Sequence, residues 1–594
     1  MKSVEKKRRK LRICIVGLFF VFFFSVIGIK AIYLQAFCPW LNDRALEERE
    51  KSLIFRGKRG TIYDANGREM AVTSADVESI TAHPRHIKDP RATAQALSRA
   101  LQIDAKTLNV KLESGKSFIW VKRQVGPRKS RTVKDLRLKG VGFISEHSRF
   151  YPSGTLAAQV LGFTGVDDRG LEGIEFYYDN WLKGSDHKLT VLKDGFDRKF
   201  DTEENTDMSY SGKNLILTID KTIQFITESA LEEAVTDFSA KSGMAVVMEP
   251  DSGAVLALAH APVFNPNSFG KFDRDLWRNK AVTDPFEPGS TMKIFSAAGA
   301  IEFGGCTPDT IFFCENGAYQ IGEDVVHDSQ PYGWMSLGKI IKYSSNIGSV
   351  KVSEMIGPQL LYKTLRDFGF GEKTRIDCPG ETAGTLSFYR RWSKIDAGTI
   401  SFGQGISVSA IQLITATSAI ANGGMLMKPY IVQAITNSNG QPVESFGPRK
   451  IRRVVSAETA EAVRQMMKSV VEKGGTGEKA ALKGYSACGK TGTAQKIDGK
   501  GQYAKGKYVA SFIGFAPAEK PRVVILAVLD EPQKNHYGGT VATPVFRKIA
   551  YETLNYMNVP PRHEKKKLTA SVAGDQLPMI VATVNGSLSM DHGE

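Results

Sequence analysis

The chain has 594 residues, 42% of them apolar and 24% charged, which is the composition of a globular protein too long for one core. Its formal charge is +16, but the first twelve residues alone hold seven cations against Glu5, which takes away much of the support for a nucleic-acid partner. The six cysteines form no CxxC and no His–Cys grouping, so neither a metal site nor any other cofactor is expected.

In chain order, the first predicted element follows the basic cluster. Residues 1–12 read as a cytoplasmic tail and 13–34 as a transmembrane anchor, because Ile13–Ile29 carries no charge and the apolar run resumes after Lys30. A hydrocarbon core of about 30 Å needs about 20 helical residues, and cations before the run predict an N-terminus inside and the bulk of the chain outside. No small-residue cleavage pair follows, and Phe37 before Cys38 spoils a lipoprotein site, so the anchor is expected to stay uncleaved.

Residues 35–212 read as an elongated spacer of short strands and helices, with a hairpin at Asn66-Gly67 and a helix at Pro90–Leu101. The glycine-dense stretch from Arg149 to Glu175 suits turns and close packing rather than chemistry. A second domain, 213–558, opens with a strand at Asn214–Asp220 and a helix bearing Ile223, Ile226, Ala230, Leu231 and Ala234 on one face. Strands are predicted at Ala245–Met248, Ala254–Ala259, Tyr508–Gly514 and Val523–Leu529, and helices at Leu360–Phe368, Ala410–Ala421 and Ala457–Val471. The class is α+β, an antiparallel sheet flanked by helices. Residues 559–594 are expected to be a flexible tail. Cys306 and Cys314 are close enough to form a small loop disulfide in an oxidising compartment, or to be free buried thiols.

Three polar motifs in the second domain carry the chemistry. Ser290-Thr-Met-Lys293 follows Pro288-Gly289 at the predicted start of a helix, so Lys293 shares a face with Ser290. A free lysine near pKa 10.4 is no base at neutral pH, but burial and nearby positive potential lower it and let it activate a serine. Ser344-Ser345-Asn346 interrupts apolar stretches; a serine hydroxyl there passes a proton on, and an asparagine amide holds both a substrate amide and the lysine. Lys490-Thr491-Gly492-Thr493 lies between a possible strand start at Tyr485 and a loop at Ile497–Lys507. On an edge strand it lets a peptide add alongside, with Lys490 and the two threonine hydroxyls gripping a carboxylate and Gly492 leaving room. The N–H groups of Ser290 and Thr493 complete an oxyanion hole. Each motif alone is far more often a cap, a loop or an exposed turn. Their conjunction, in this order at spacings of 54 and 146 residues, is the pattern shared by class A β-lactamases and penicillin-binding proteins.

The chain resembles the class B penicillin-binding proteins, the peptidoglycan D,D-transpeptidases, and most of all their division-specific septal type. The likeness runs over residues 8–555 and includes the anchor, Arg59-Gly60-Thr-Ile-Tyr-Asp64 with Asn66-Gly67, Arg149 with Tyr151-Pro152, Gly170–Glu175, Gly403-Gln404-Gly405 and Tyr537-Gly538-Gly539. It implies that Ser290, Lys293, Ser344, Asn346 and Lys490 are catalytic, that Thr491, Gly492 and Thr493 bind substrate, and that residues 35–212 form a dimerisation or pedestal domain. It implies peptidoglycan stem peptides on lipid-linked or nascent glycan as substrate, penicillin and other β-lactams as acylating mimics, and a multi-pass glycan polymerase with other divisome proteins as partners in the inner membrane. Ser345 stands where one form of the motif has aspartate, which argues mildly against a class A β-lactamase. Within the same chemistry stand a lateral-wall transpeptidase and a D,D-carboxypeptidase; outside it stands a non-catalytic β-lactam sensor or scaffold.

Overall fold

The computed structural model describes residues 2–37, 50–55, 57–185, 187–192, 210–498 and 502–562. Helix α1 (Lys2–Phe37) extends beyond the expected anchor at both ends, and its stretch Lys10–Ala36 is long and apolar enough to cross a membrane, with no part buried against protein. Leu18, Phe22 and Ile29 face outward along it, as a lipid-facing helix requires. It is the single such helix among the described residues.

A seven-stranded mixed sheet joins the spacer to the second domain. Strands β1 (Ile62–Tyr63), β2 (Glu69–Ala82), β3 (Ile119–Val125) and β4 (Val141–Phe150) come from the spacer, and β5 (Asn214–Leu217) begins the second domain. β1 pairs antiparallel with β2 and parallel with β5, while both β3 and β4 pair with β2. The Asn66-Gly67 turn is the one expected, and Pro90–Leu101 is a helix (α2). Asp64 holds this turn: its Oδ1 accepts from Asn66 N and Arg68 N at 2.9 and 2.7 Å, and its Oδ2 from Lys221 N at 3.2 Å. Asn66 Nδ2 in turn donates to Asp220 at 2.7 Å. The predicted strand over Asn214–Asp220 stops at Leu217, because Asp220 caps helix α3 (Lys221–Asp237) by accepting from Thr222 N and Ile223 N.

The motifs Arg59, Arg149 and Glu175 converge on one buried cluster. Arg59 Nε and Arg149 Nε donate to opposite oxygens of Glu175 at 2.7 and 2.6 Å, Tyr151 OH adds a third bond at 3.2 Å, and Arg59 also pairs with Asp179 at 2.6 Å. Glu175 is fully buried, a position tolerable for a carboxylate only when it is paired and hydrogen-bonded. The glycine-dense stretch thus carries charge as well as turns.

The second domain is built on a five-stranded antiparallel sheet. Its strands are β6 (Ser242–Met248), β7 (Val255–Ala261), β8 (Cys488–Ile497), β9 (Tyr503–Ala516) and β10 (Val523–Asp530), ordered β8-β9-β10-β6-β7. Along β10, Val524, Leu526 and Val528 enter one core and Val523, Ile525, Ala527 and Leu529 the other, the period of two that a strand buried on both faces produces. The second face is covered by α3 and by the C-terminal helix Thr543–Tyr556. The first packs on the helix Ala410–Ala421, buried at every residue and closed at its start by a Ser409/Gln412 capping box. The helix at Ala457–Val471 is also as expected. Leu360–Phe368 is instead the end of a longer helix, Asn346–Asp367, broken at Gly357. The strand expected from Tyr485 starts at Cys488, and the loop expected over Ile497–Lys507 is narrower, since β8 continues to Ile497 and β9 resumes at Tyr503. Cys306 and Cys314 are free buried thiols. The tail beyond residue 562 lies outside the described residues.

Candidate active site

Four segments meet at one edge of the five-stranded sheet. The first is the turn that carries Ser290. Gly289 takes φ +56° and donates its N–H to Gly403 O at 3.1 Å, and a Cβ on Gly403 would lie 2.1 Å from Gly289 O. Gly403-Gln404-Gly405 therefore seats the turn, helped by Glu287, which accepts from Gly405 N at 2.9 Å. Residues Gly289–Met292 form a 3₁₀ turn that runs into the helix Lys293–Gly304. Ser290 is half-buried and Lys293 is 1% exposed.

The second segment is Ser344-Ser345-Asn346. Ser344 ends the helix Leu337–Tyr343 in the left-handed region (φ +62°), and Ser345 caps the next helix by accepting from Gly348 N at 2.9 Å. This break aims Ser344 and Asn346 at Lys293, whose Nζ donates to Ser344 O at 2.5 Å and Asn346 Oδ1 at 2.7 Å and lies 3.2 Å from Ser344 Oγ.

The third segment is β8, the edge strand, and the fourth is the Asp328 loop. Lys490, 0% exposed, donates to Ser344 Oγ at 2.9 Å, so Ser344 lies between two lysine amines. Gly492 presses against the Ser290 turn: a Cβ there would sit 2.2 Å from Ser511 Oγ and 2.9 Å from Pro288 O. Thr491 Oγ1 donates to Thr476 Oγ1 at 3.2 Å, while Thr493 Oγ1 accepts from Gly538 N at 3.1 Å and keeps its own proton to donate. Tyr537-Gly538-Gly539 thus backs the strand.

Burial sets the protonation of both lysines. It brings Lys293 down to about 7, with the Asp328 carboxylate opposing the fall, and it drives Lys490 well below the usual lysine range, with the Lys293 charge adding to the effect. Lys490, expected as a cationic carboxylate clamp, is buried, with its amine on Ser344 Oγ. A neutral lysine has two N–H bonds and one lone pair. With Ser344 O and Asn346 Oδ1 taking the two hydrogens of Lys293, the lone pair is left for a hydroxyl.

All eight residues singled out in the sequence lie on these segments, and the described residues hold no cluster able to bind a metal. The penicillin binding protein transpeptidase domain matches residues 243–551, and the penicillin-binding protein dimerisation domain matches 55–217. The chain belongs to the class B penicillin-binding proteins. It is 37% identical to the probable peptidoglycan D,D-transpeptidase PenA of Neisseria gonorrhoeae over 92% of both chains. It is 35% identical to the peptidoglycan D,D-transpeptidase FtsI of Escherichia coli over 85% of this chain and 84% of that one. Among solved structures, penicillin-binding protein 3 of Mycobacterium tuberculosis in its apo form aligns with a TM-score of 0.67 at 31% identity, covering 86% of this chain and 98% of the other.

The structure adds residues to this penicillin-binding protein's site that the sequence did not reveal. Asp328 accepts from Ile347 N at 3.2 Å, from Asn346 N, and from Ser345 Oγ at 2.5 Å. A carboxylate from a distant loop thereby stands beside the position where one form of the motif has aspartate. His327 O accepts from Asn346 Nδ2 at 3.0 Å, which orients the amide with its oxygen toward Lys293. Tyr503 OH donates to Glu287 at 3.3 Å across the mouth of the site. Asp328 belongs to no local pattern, and only its contact with the helix start marks it.

Proposed function

We propose that this protein is a membrane-anchored peptidoglycan D,D-transpeptidase that works through an ester on Ser290. The observation that carries the reading is the placement of Lys293: a buried amine, its pKa lowered to about 7, one turn from Ser290 and locked onto Ser344 and Asn346. In the acylation step Ser290 Oγ attacks the penultimate D-alanine carbonyl of a stem peptide while Lys293 Nζ takes its proton. The tetrahedral oxyanion rests on the N–H groups of Ser290 and Thr493. Collapse breaks the amide; the leaving D-alanine nitrogen takes a proton passed from Lys293 through Ser344, and the acyl group stays on Ser290. An amine from a neighbouring stem then attacks the ester, and its proton returns along the same path to Ser290. The terminal carboxylate meets the hydroxyls of Thr491 and Thr493, and its charge favours the protonated form of Lys490 behind them. Gly492 keeps the strand close enough for the peptide to add alongside.

Residues 35–212 serve as the pedestal and 213–558 as the transpeptidase domain. The N-terminus lies in the cytoplasm and the catalytic domain outside the inner membrane, as the basic residues ahead of the apolar helix favour. The E. coli relative FtsI and the likeness over Tyr151–Glu175 favour septal synthesis, with glycan supplied by a multi-pass polymerase. A D,D-carboxypeptidase would pass the acyl group to water, a β-lactamase would clear a penicillin ester within minutes, and a scaffold would never form one. Fluorescent penicillin separates these: the full-length protein labels and stays labelled, Ser290→Ala folds but does not label, and mass spectrometry finds the adduct on Ser290. An adduct elsewhere, or stable labelling of Ser290→Ala, overturns the reading.

A further inference from the structure

A groove of about 630 Å³ lies at the far end of the helix Asn346–Asp367 from Asn346. Phe368 and Leu426, both buried, give it an apolar floor. Two segments supply its charges: the loop 372–375, and Arg449 with the strand Lys450–Arg453, which pairs with Met425–Met427. Together they bring five cations, Lys373, Arg375, Arg449, Lys450 and Arg452, against the single acid Glu372.

The chain does not neutralise these cations. Glu372 is taken by Arg366, and Asp367 pairs with Lys363 at 2.6 Å. Glu381 spends both oxygens on the loop itself: Oε1 accepts from Thr374 N and Thr374 Oγ1, each at 2.6 Å, and Oε2 from Arg375 N at 3.0 Å. Lys373, Arg375, Arg449 and Lys450 are exposed and make no ion pair among the described residues. On the same domain Lys280, Lys496 and Lys548 instead meet carboxylates at 2.5, 2.7 and 2.6 Å. The groove is also built in advance. Arg452 donates from Nε and Nη2 to Asp367 O and Arg366 O at 2.7 and 2.9 Å, closing the helix end and leaving Nη1 to donate elsewhere. Glu381 holds Arg375 in the left-handed region, at φ +62°, so neither segment has to be ordered by a ligand. Like charges gathered over an apolar floor focus a positive field, and guanidinium forks match the paired oxygens of carboxylates and phosphates.

We propose that this groove is a second, non-catalytic binding site for an oligoanion carrying two or more carboxylate or phosphate groups. Resting on the transpeptidase reading, the occupant is a neighbouring wall strand, held by the free carboxylates of its stem peptides or by the phosphates of its lipid-linked form. Holding such a strand raises its effective concentration at the serine without touching the chemistry.

The test uses the full-length protein in detergent, with its serine first blocked by penicillin. The probes are N-acetyl-L-alanyl-D-glutamate, a dicarboxylate followed by saturation-transfer NMR, and inorganic pyrophosphate, followed by ³¹P line broadening. Saturable binding of at least one probe is expected. Binding of the peptide assigns the stem carboxylates, and binding of pyrophosphate assigns the lipid-linked form. The double variant Arg449→Glu/Lys450→Glu should weaken binding at least tenfold. The same charge change on the exposed pedestal pair, Arg128→Glu/Arg131→Glu, should leave it unchanged. If the first variant does not fold, Lys373→Glu/Arg375→Glu on the facing loop decides. Penicillin labelling reports separately on the serine, so the transpeptidase reading and this one fail independently. No saturable binding of either probe, wild-type binding by the folded groove variant, or equal weakening by the pedestal pair shows a merely solvated basic surface and overturns the proposal.

Discussion

Lowering the pH should shut down acylation at a point set by Lys293. An ordinary lysine at pKa 10.5 is neutral in about one molecule in three thousand at pH 7, whereas Lys293 at about 7 is neutral in about half. Burial thus raises the supply of free base about a thousandfold, at a cost of roughly 5 kcal/mol in solvation of the ammonium. The sign follows directly: the reactive form is the deprotonated amine, so the rate is flat above the pKa and falls about tenfold per pH unit below it. Because Lys490 is also buried and shares Ser344, the midpoint belongs to the pair of amines rather than to one of them. Stopped-flow acylation by fluorescent penicillin between about pH 5.5 and 9 should show half-maximal rate near pH 7. A rate unchanged down to about pH 5.5, or one still climbing at about pH 9, would refute a buried neutral lysine as the base.

Other expected outcomes follow from single contacts. Asp328→Asn removes the anion that holds the Lys293 pKa up, so the acylation midpoint should move to lower pH; a midpoint that moves up or stays put contradicts the assigned charge effect. Gly492→Ala places a Cβ 2.2 Å from Ser511 Oγ and 2.9 Å from Pro288 O, and overpacking of about 1–3 kcal/mol predicts acylation about 10- to 100-fold slower, read by the same stopped-flow assay. Glu175→Gln leaves Arg149 buried without a carboxylate and should cost about 3–5 kcal/mol in a denaturant melt, with penicillin labelling intact at low temperature. An unchanged melt would show that the cluster is not holding the pedestal.

Much of the catalytic half was legible because its signals are local. Ala410–Ala421 and Ala457–Val471 end where their apolar periodicity ends, and the β6–β7 hairpin is marked by Pro250–Gly253 between two apolar runs. Ser290, Lys293, Ser344, Asn346 and Lys490 could be named since each lies in a short ordered motif. What sequence could not supply was long-range. Nothing near Asp328 says that its carboxylate reaches the start of another helix, and no pattern pairs Arg59 with Glu175, 116 residues away. The burial of Lys490 is a like case: the motif shows a cation on a strand, and only the packed structure shows that it is sealed from water beside Ser344.

That sealing links fold to chemistry. Lys293 begins the helix Lys293–Gly304, whose residues through Ala300 are all buried, and Lys490 lies on a strand whose residues Cys488–Gly492 are also buried. Apolar packing on both elements does two things together: it places the two amines on either side of Ser344, and it strips them of the water that would keep them charged. A variant that loosens this packing without touching a motif residue, such as Phe295→Ala against Phe368 and Phe370, should therefore raise the Lys293 pKa as well as destabilise the domain. Its acylation midpoint would move toward higher pH, the reverse of Asp328→Asn. A purely structural role for Phe295 would lower the amount of folded protein and leave the midpoint where it was, so the pH profile rather than the yield tells the two apart.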